Sequence, residues 1–218
     1  MNYADLSIRP KGDLEGTLLA AKRLGYLAVA LEGTEEGVNL PNNDVSRGLL
    51  VARRRTFIVD EASDLESLMS RVPSGVIVSV APMDYKAYRR AALHKRVDII
   101  RLLPESHVRP DKETKHLFSQ RGGGAVEVSL RPLINGDVGE LRYVYDVVSR
   151  SYRIGLRLAI VSDAENKFEL WHPLQVVSLL VSLGFPTDFA ISSLTSSPGF
   201  ILSRRGAAHL KGASPQGS

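Results

Sequence analysis

The 218-residue chain contains no cysteine. Disulfides, thiolate nucleophiles and cysteine-ligated zinc are therefore excluded. No stretch approaches the roughly 20 uninterrupted apolar residues that a membrane-spanning helix needs. The first residues, Met1-Asn2-Tyr3-Ala4-Asp5, lack a basic segment followed by an apolar run. No secretory signal and no membrane partner are expected, and a cytoplasmic location fits. Histidine is scarce, and the five present (His94, His107, His116, His172, His209) form no H-x-H or H-E-x-x-H pair. Metal-dependent hydrolases need such ligands converging at strand ends, so no metal site and no protein-bound cofactor are expected. The sequence has no G-x-x-x-x-G-K-[ST] and no G-x-G-x-x-G between a strand and a helix. A nucleotide phosphate loop is thereby excluded, and serine hydrolysis lacks its elbow motif.

What is present reads as one globular domain. Hydrophobic residues make up 44% of the chain and charged residues 24%, enough to bury a core without a low-complexity block. The net charge of +4 and pI near 9.4 suit a phosphate-bearing partner, although many proteins without one share that balance.

Strand and helix signals alternate throughout. Strands are expected at Tyr3–Ile8, Tyr26–Leu31, Thr56–Val59, Val76–Val80, Val97–Leu103, Ala125–Leu130 and Leu156–Val161. YLAVAL at 26–31 has no polar alternation, as a strand covered on both faces requires. Between them, Asp13 caps a helix that Gly25 ends, and Ser63 with Glu66 forms a capping box. A helix at Asp137–Arg153 carries Val138, Leu141, Tyr145, Val148 and Tyr152 as one apolar stripe. Glu32–Ser46 reads as a loop and Phe200–Leu202 as a last apolar piece. A single α/β domain is expected over 1–210, with a disordered tail over 211–218. Repeated βα units mean a parallel sheet, either a closed barrel or an open doubly wound sheet; the pattern leaves both open.

Two sets of residues are candidates for chemistry or binding. Asp5, Glu32, Glu127 and Asp163 fall in or after strands, where a barrel turns side chains into its mouth. They are either an acidic active site or members of an ion network with Arg9, Arg101 or Arg131; the network is the reading expected. The basic residues form three clusters: Arg53-Arg54-Arg55, the helix face Lys86/Arg89/Arg90/His94 with Lys95 and Arg96, and Arg204-Arg205. Each is an ordinary solvated face or a phosphate contact. Arg53, Arg55, Lys86, Arg89, Arg90, Lys95, Arg96, Arg204 and Arg205 are the candidate RNA-binding residues; no catalytic residue is expected. If 53–55 is extended, its middle arginine points away from the other two. Gly122-Gly123-Gly124 follows a helix and enters a strand, the reverse of a phosphate loop, and is expected to serve as a flexible turn.

The order of motifs resembles the archaeal ribonuclease P protein component 3 family, which is similar to the barrel subunit of eukaryotic RNase P. Ala4-Asp5-Leu6-Ser7-Ile8, Val126-Glu127-Val128-Ser129-Leu130-Arg131-Pro132-Leu133-Ile134, Ile160-Val161-Ser162-Asp163-Ala164 and Leu170-Trp171-His172-Pro173 carry the likeness, with Ala190–Ser193 and Pro198–Leu202. It spans about residues 3–202; 34–51 and 192–198 depart from it. The resemblance implies a TIM-barrel-like closed parallel barrel with surrounding helices, related to metal-dependent phosphoesterases of the PHP type but without their ligands. Where those carry H-x-H after the first strand, this chain has Asp5-Leu6-Ser7. The resemblance further implies a subunit of the ribonuclease P ribonucleoprotein, which removes the 5′ leader of precursor tRNA. Its partners would be the RNase P RNA, protein component 2 and other RNase P proteins. Magnesium would belong to the RNA component. The alternatives are a stand-alone metal-dependent phosphoesterase of the same superfamily and a sugar-phosphate barrel enzyme.

Overall fold

A computed structural model describes residues 2–33 and 48–206; most of the expected loop at 32–46, His209 and the 211–218 tail lie outside them. Strands β1 (Tyr3–Ile8), β2 (Tyr26–Glu32), β3 (Leu50–Val59), β4 (Ile77–Pro82), β5 (Ile99–Arg101), β6 (Ala125–Ser129) and β7 (Leu158–Val161) lie side by side in sequence order. Every neighbouring pair is parallel. The two ends of the sheet meet. The Asp163 amide donates to the Ser7 carbonyl at 3.0 Å, and the Arg9 amide to the Ala164 carbonyl at 2.8 Å. The result is the nearly closed barrel that the sequence pattern left as one of two options.

Helices α1 (Leu14–Arg23), α2 (Asp64–Ser70), α3 (Tyr85–Leu93), α4 (Lys112–Gln120), α5 (Arg131–Asn135), α6 (Val138–Ile154), α7 (Pro173–Ser182), α8 (Thr187–Leu194) and α9 (Ser196–Arg204) surround it. Carboxylates start several of them: Asp13, Asp84, Asp111 and Asp137 each accept from a backbone amide of the first turn, filling donors that the helix leaves open. The sequence expectations need four corrections. The Ser63 hydroxyl caps no backbone amide; it bonds Glu61 and Asp64 side chains instead. Strand β3 starts at Leu50, six residues before the expected Thr56. Its three successive arginines hide a strand because their charge masks the alternation between the exposed Arg53 and Arg55 and the buried Arg54. Phe200–Leu202 lies inside a helix, α9. Finally, the α6 stripe is only partly buried: Val148 is covered, whereas Val138 is 61% exposed and Tyr145 and Tyr152 stay open to solvent.

Seven strands make a narrower barrel than eight, and the inward side chains are correspondingly small. Ala4, Ala28, Ala30, Ala125 and Ala159 share the interior with Leu6, Ile77 and Ile99, and α9 plugs this end with Ile201 and Leu202. Toward the other end of the barrel the interior turns ionic. Arg54, buried in β3, donates to both carboxylate oxygens of Glu127 (2.5 and 2.7 Å), to the Leu6 carbonyl (2.7 Å) and to Ser79 Oγ (2.9 Å). Its Nε also lies 2.9 Å from Glu32. Arg101 pairs with Asp163 (Nη1–Oδ1 2.8 Å) and approaches Glu127 at 3.5 Å. Asp5 joins neither arginine. It takes backbone amides from Ser7 (3.0 Å) and Ser162 (3.1 Å), bridging the seam between β1 and β7.

Two outcomes are expected. Arg54→Met takes the hydrogen-bonded cation from Glu127 and Glu32, leaving Glu127 only Arg101 at 3.5 Å, and lowers stability by about 3–5 kcal/mol, whereas adding Glu127→Leu recovers at least half of that loss; urea denaturation midpoints of the three proteins decide it. Burial pushes the Asp5 carboxyl up from 3.8 to about 7. A raised folded-state pKa gives stability that is full below the unfolded value and is lost as pH rises through the folded one. The stability of the protein relative to Asp5→Asn should therefore fall between pH 4 and 7, by no more than about 4 kcal/mol. A difference that stays flat across a pH series of melts refutes it.

Candidate nucleic-acid interface

The strand ends at the barrel mouth are where a barrel enzyme would keep its reacting groups. Glu32, Glu127 and Asp163 stand there, and each is held by a buried guanidinium. Arg54 bridges Glu127 and Glu32, and Arg101 bridges Asp163 and Glu127. Burial alone would depress the Arg54 guanidinium, but the Glu127 carboxylate more than offsets it and holds its pKa above the ordinary arginine value. Burial likewise pulls the Asp163 carboxyl up, but hydrogen bonds from Arg101 keep it well below the usual carboxylate range. Asp163 adopts a left-handed backbone (φ 55°) at the point where it meets Ser7 and Arg101. Among the described residues no three His, Asp or Glu side chains are grouped to hold a metal ion. Between the carboxylates, where a cation would sit, lie arginine nitrogens. The arrangement stabilises charge but offers neither a free base nor an open ligand set.

The network reading anticipated Arg101 and Asp163. It missed Arg54 as the central cation and placed it among surface charges. The available signal was β-strand alternation: with 53–55 extended, one arginine had to turn inward. Arg53 and Arg55 are exposed and Arg54 is buried.

The nine basic candidates divide into two groups. Arg53, Lys86 and Lys95 are exposed and have no ion-pair partner among the described residues; Arg55 is exposed with its guanidinium 5.3 Å from the Phe57 ring centre. The other five are engaged within the chain. Arg89 holds Asp111 and Glu113 (2.5 and 3.0 Å), and Arg90 holds Glu66 at 2.7 Å. Arg96 donates to the Val72 and Pro73 carbonyls, Arg204 to those of Gly122 and Gly123, and Arg205 to Asp98. Helical spacing alone could not reveal these partners, because Asp111, Glu113 and Glu66 come from neighbouring helices.

A second surface is apolar. An open cleft of about 370 Å³ runs between α6 and α7, lined by Val138, Leu141, Tyr145, Leu179 and Leu183 over β6 and β7. It explains why the start of the α6 stripe is uncovered: Val138, Leu141 and Tyr145 border the cleft, whereas Val148 reaches the core.

The sequence model of a family described as RNase P subunit p30 matches residues 2–210. The chain is 34% identical over 198 residues to ribonuclease P protein component 3 of Aeropyrum pernix, covering 88% of this chain and 92% of that protein. It is 25% identical over 218 residues to the component of the same name in Methanothermobacter thermautotrophicus, covering 88% and 84%. In three dimensions it resembles a chain in a cryo-EM structure of archaeal ribonuclease P with mature tRNA. That match has a TM-score of 0.73 and 17% identity, and covers 99% of this chain and 96% of that one. An amidohydrolase crystal structure shares the barrel at a TM-score of 0.53 and 11% identity, over 94% and 75%. These structural likenesses speak to fold; the sequence matches carry the assignment. This chain, with its arginine-filled barrel mouth and its exposed cations, belongs to the RNase P subunit p30 family.

Proposed function

We propose that this ribonuclease P subunit works by holding RNA and another protein, and contributes no reacting group to cleavage. The complex removes the 5′ leader of precursor tRNA; the chain binds and stabilises the catalytic RNA together with protein component 2. The observation that carries this reading is the ion network, in which Glu32, Glu127 and Asp163 are each matched by a buried arginine, while Asp5 is tied up by backbone amides. The stand-alone phosphoesterase reading is disfavoured for the same reason. Magnesium acts at the RNA, no cofactor is held by the chain, and the protein works in the cytoplasm.

Arg53, Arg55, Lys86 and Lys95 are the cations free to neutralise phosphates, and such contacts bind RNA without reading its sequence. The α6–α7 cleft suits a protein neighbour, because a monomer gains nothing by leaving so much apolar surface in water.

Reconstitution with the catalytic RNA and the other subunits tests the core of the proposal. Adding the chain should raise precursor-tRNA cleavage, whereas the purified chain with magnesium should cut nothing; cleavage by the chain alone would sink it. Arg53→Gln with Arg55→Gln should weaken RNA binding and flatten its salt dependence by roughly 0.9 per lost phosphate contact, as read from gel shifts at two salt concentrations. Val138→Glu with Leu183→Glu, both exposed positions, should leave the melting temperature within a few degrees and cut co-purification with protein component 2 at least about tenfold. Undiminished co-purification places the protein contact elsewhere.

A further inference from the structure

The base of the barrel, at the strand starts, carries a concentration of positive charge that the reading above does not use. Gly122-Gly123-Gly124 joins α4 to β6, and Gly155-Leu156-Arg157 joins α6 to β7. Between these links lies a cleft of about 550 Å³, with Lys115 and Arg157 among its lining residues and no carboxylate. The triple glycine is more than a flexible turn. Gly122 and Gly123 take φ values of +84° and +105°, which side chains rarely adopt. A Cβ on Gly123 would lie 2.6 Å from the Phe200 ring and 3.3 Å from Arg157 Nη1, and one on Gly124 would overlap the Arg121 guanidinium. Bare backbone is what lets these groups close in. Arg157 stacks on Phe200 (3.9 Å to the ring centre), which fixes its plane and leaves its edge N–H groups as donors. Lys115 Nζ stands near Gly155 and donates to the Ile154 carbonyl at 3.1 Å. Arg204 donates to the Gly122 and Gly123 carbonyls at 2.9 Å.

A simpler account is that these cations only cap helix ends, since α3, α4, α6 and α9 all finish here. Each helix C-terminus carries about half a negative charge, so the four ask for roughly two cations. Lys115, Arg121, Arg157, Arg204 and Arg205 supply five, with Asp98 as the carboxylate that answers them. The surplus is felt at Arg121. Its Nε and Nη2 are buried with no hydrogen-bond partner among the described residues. Burial, with the Arg204 guanidinium beside it, lowers its pKa to about 9. An anion in the cleft would relieve this crowding.

We propose that this cleft binds a phosphate-type oxyanion, with Arg157 and Lys115 as direct ligands on a glycine floor and Arg121 adding charge from beneath. The oxyanion is either an RNA phosphodiester, which rests on the function proposed above, or a free phosphate, which does not. The test uses the full-length chain with two probes: inorganic phosphate, titrated by calorimetry, and a short labelled oligouridylate, followed by fluorescence anisotropy. Arg157→Gln and Lys115→Gln are compared with Lys112→Gln, an exposed lysine of the same helix outside the cleft, with circular dichroism confirming the fold. Both cleft variants should weaken phosphate binding by about fivefold, and Lys112→Gln should not. Oligouridylate that competes with phosphate and is weakened by the same variants, with a salt slope reduced by about 0.7, identifies RNA as the source. Oligouridylate binding that ignores the variants, alongside phosphate binding that does not, identifies a free oxyanion. Wild-type affinities for both probes in Arg157→Gln, or an equal loss in Lys112→Gln, would overturn the proposal. Phosphate titration needs no catalytic RNA, so a failed reconstitution would remove the subunit reading and leave the cleft standing.

Discussion

The pairing of Arg54 with Glu127 inside the barrel is the contact on which the rest of the structure depends. A guanidinium without water is tolerable only when its donors are filled, and Arg54 fills them from β1, β2, β4 and β6 at once: the Leu6 carbonyl, Glu32, Ser79 and Glu127. One side chain of β3 thereby reaches past its sheet neighbours β2 and β4 to tie in β1 and β6. The same contact decides the chemistry. A carboxylate already neutralised by a buried arginine is a poor base and a poor metal ligand, which supports the proposal that the chain works through contacts on its outer surface.

On that surface, charge has to be counted after neighbours are considered. Arg89 and Arg90 look like a basic helix face in isolation, yet Asp111, Glu113 and Glu66 from flanking helices answer them. Arg53 and Arg55 are exposed, with no ion-pair partner among the described residues. A phosphate gains more from a cation that is not already shared, because an engaged one must first give up its partner. The distribution of exposed and engaged cations is therefore a better guide to an RNA surface than the net charge of +4.

Much of the fold was legible because local rules govern it. The apolar run Tyr26–Leu31, the capping Asp13 and the helical spacing from Val138 mark β2, α1 and α6 directly. The closed barrel was open as an option until the Ser7–Asp163 and Arg9–Ala164 bonds were seen, since closure joins residues too distant in sequence for periodicity to register. The missed features share that origin. Arg54 was inseparable from its neighbours until β3 was known to reach back to Leu50. The α6 stripe looked like core because its spacing is helical; only the position of α7 shows that Val138 and Tyr145 border an open cleft. Gly122–Gly124 reads as a loose turn until Phe200, Arg157 and Arg121 arrive from elsewhere in the chain.

The seam of the barrel has a bearing on how the protein is made. Ser7 bonds Asp163 across 156 positions of sequence, and Ile201 and Leu202 of α9 seal the far end of the bore. During synthesis β1 emerges long before β7, and the alanine-lined interior stays unplugged until α9 (Ser196–Arg204) has left the ribosome. Distant pairing of this kind slows folding and prolongs the exposure of strand edges. The nascent chain therefore spends its most vulnerable interval as an unclosed sheet, with the β1 edge waiting for β7.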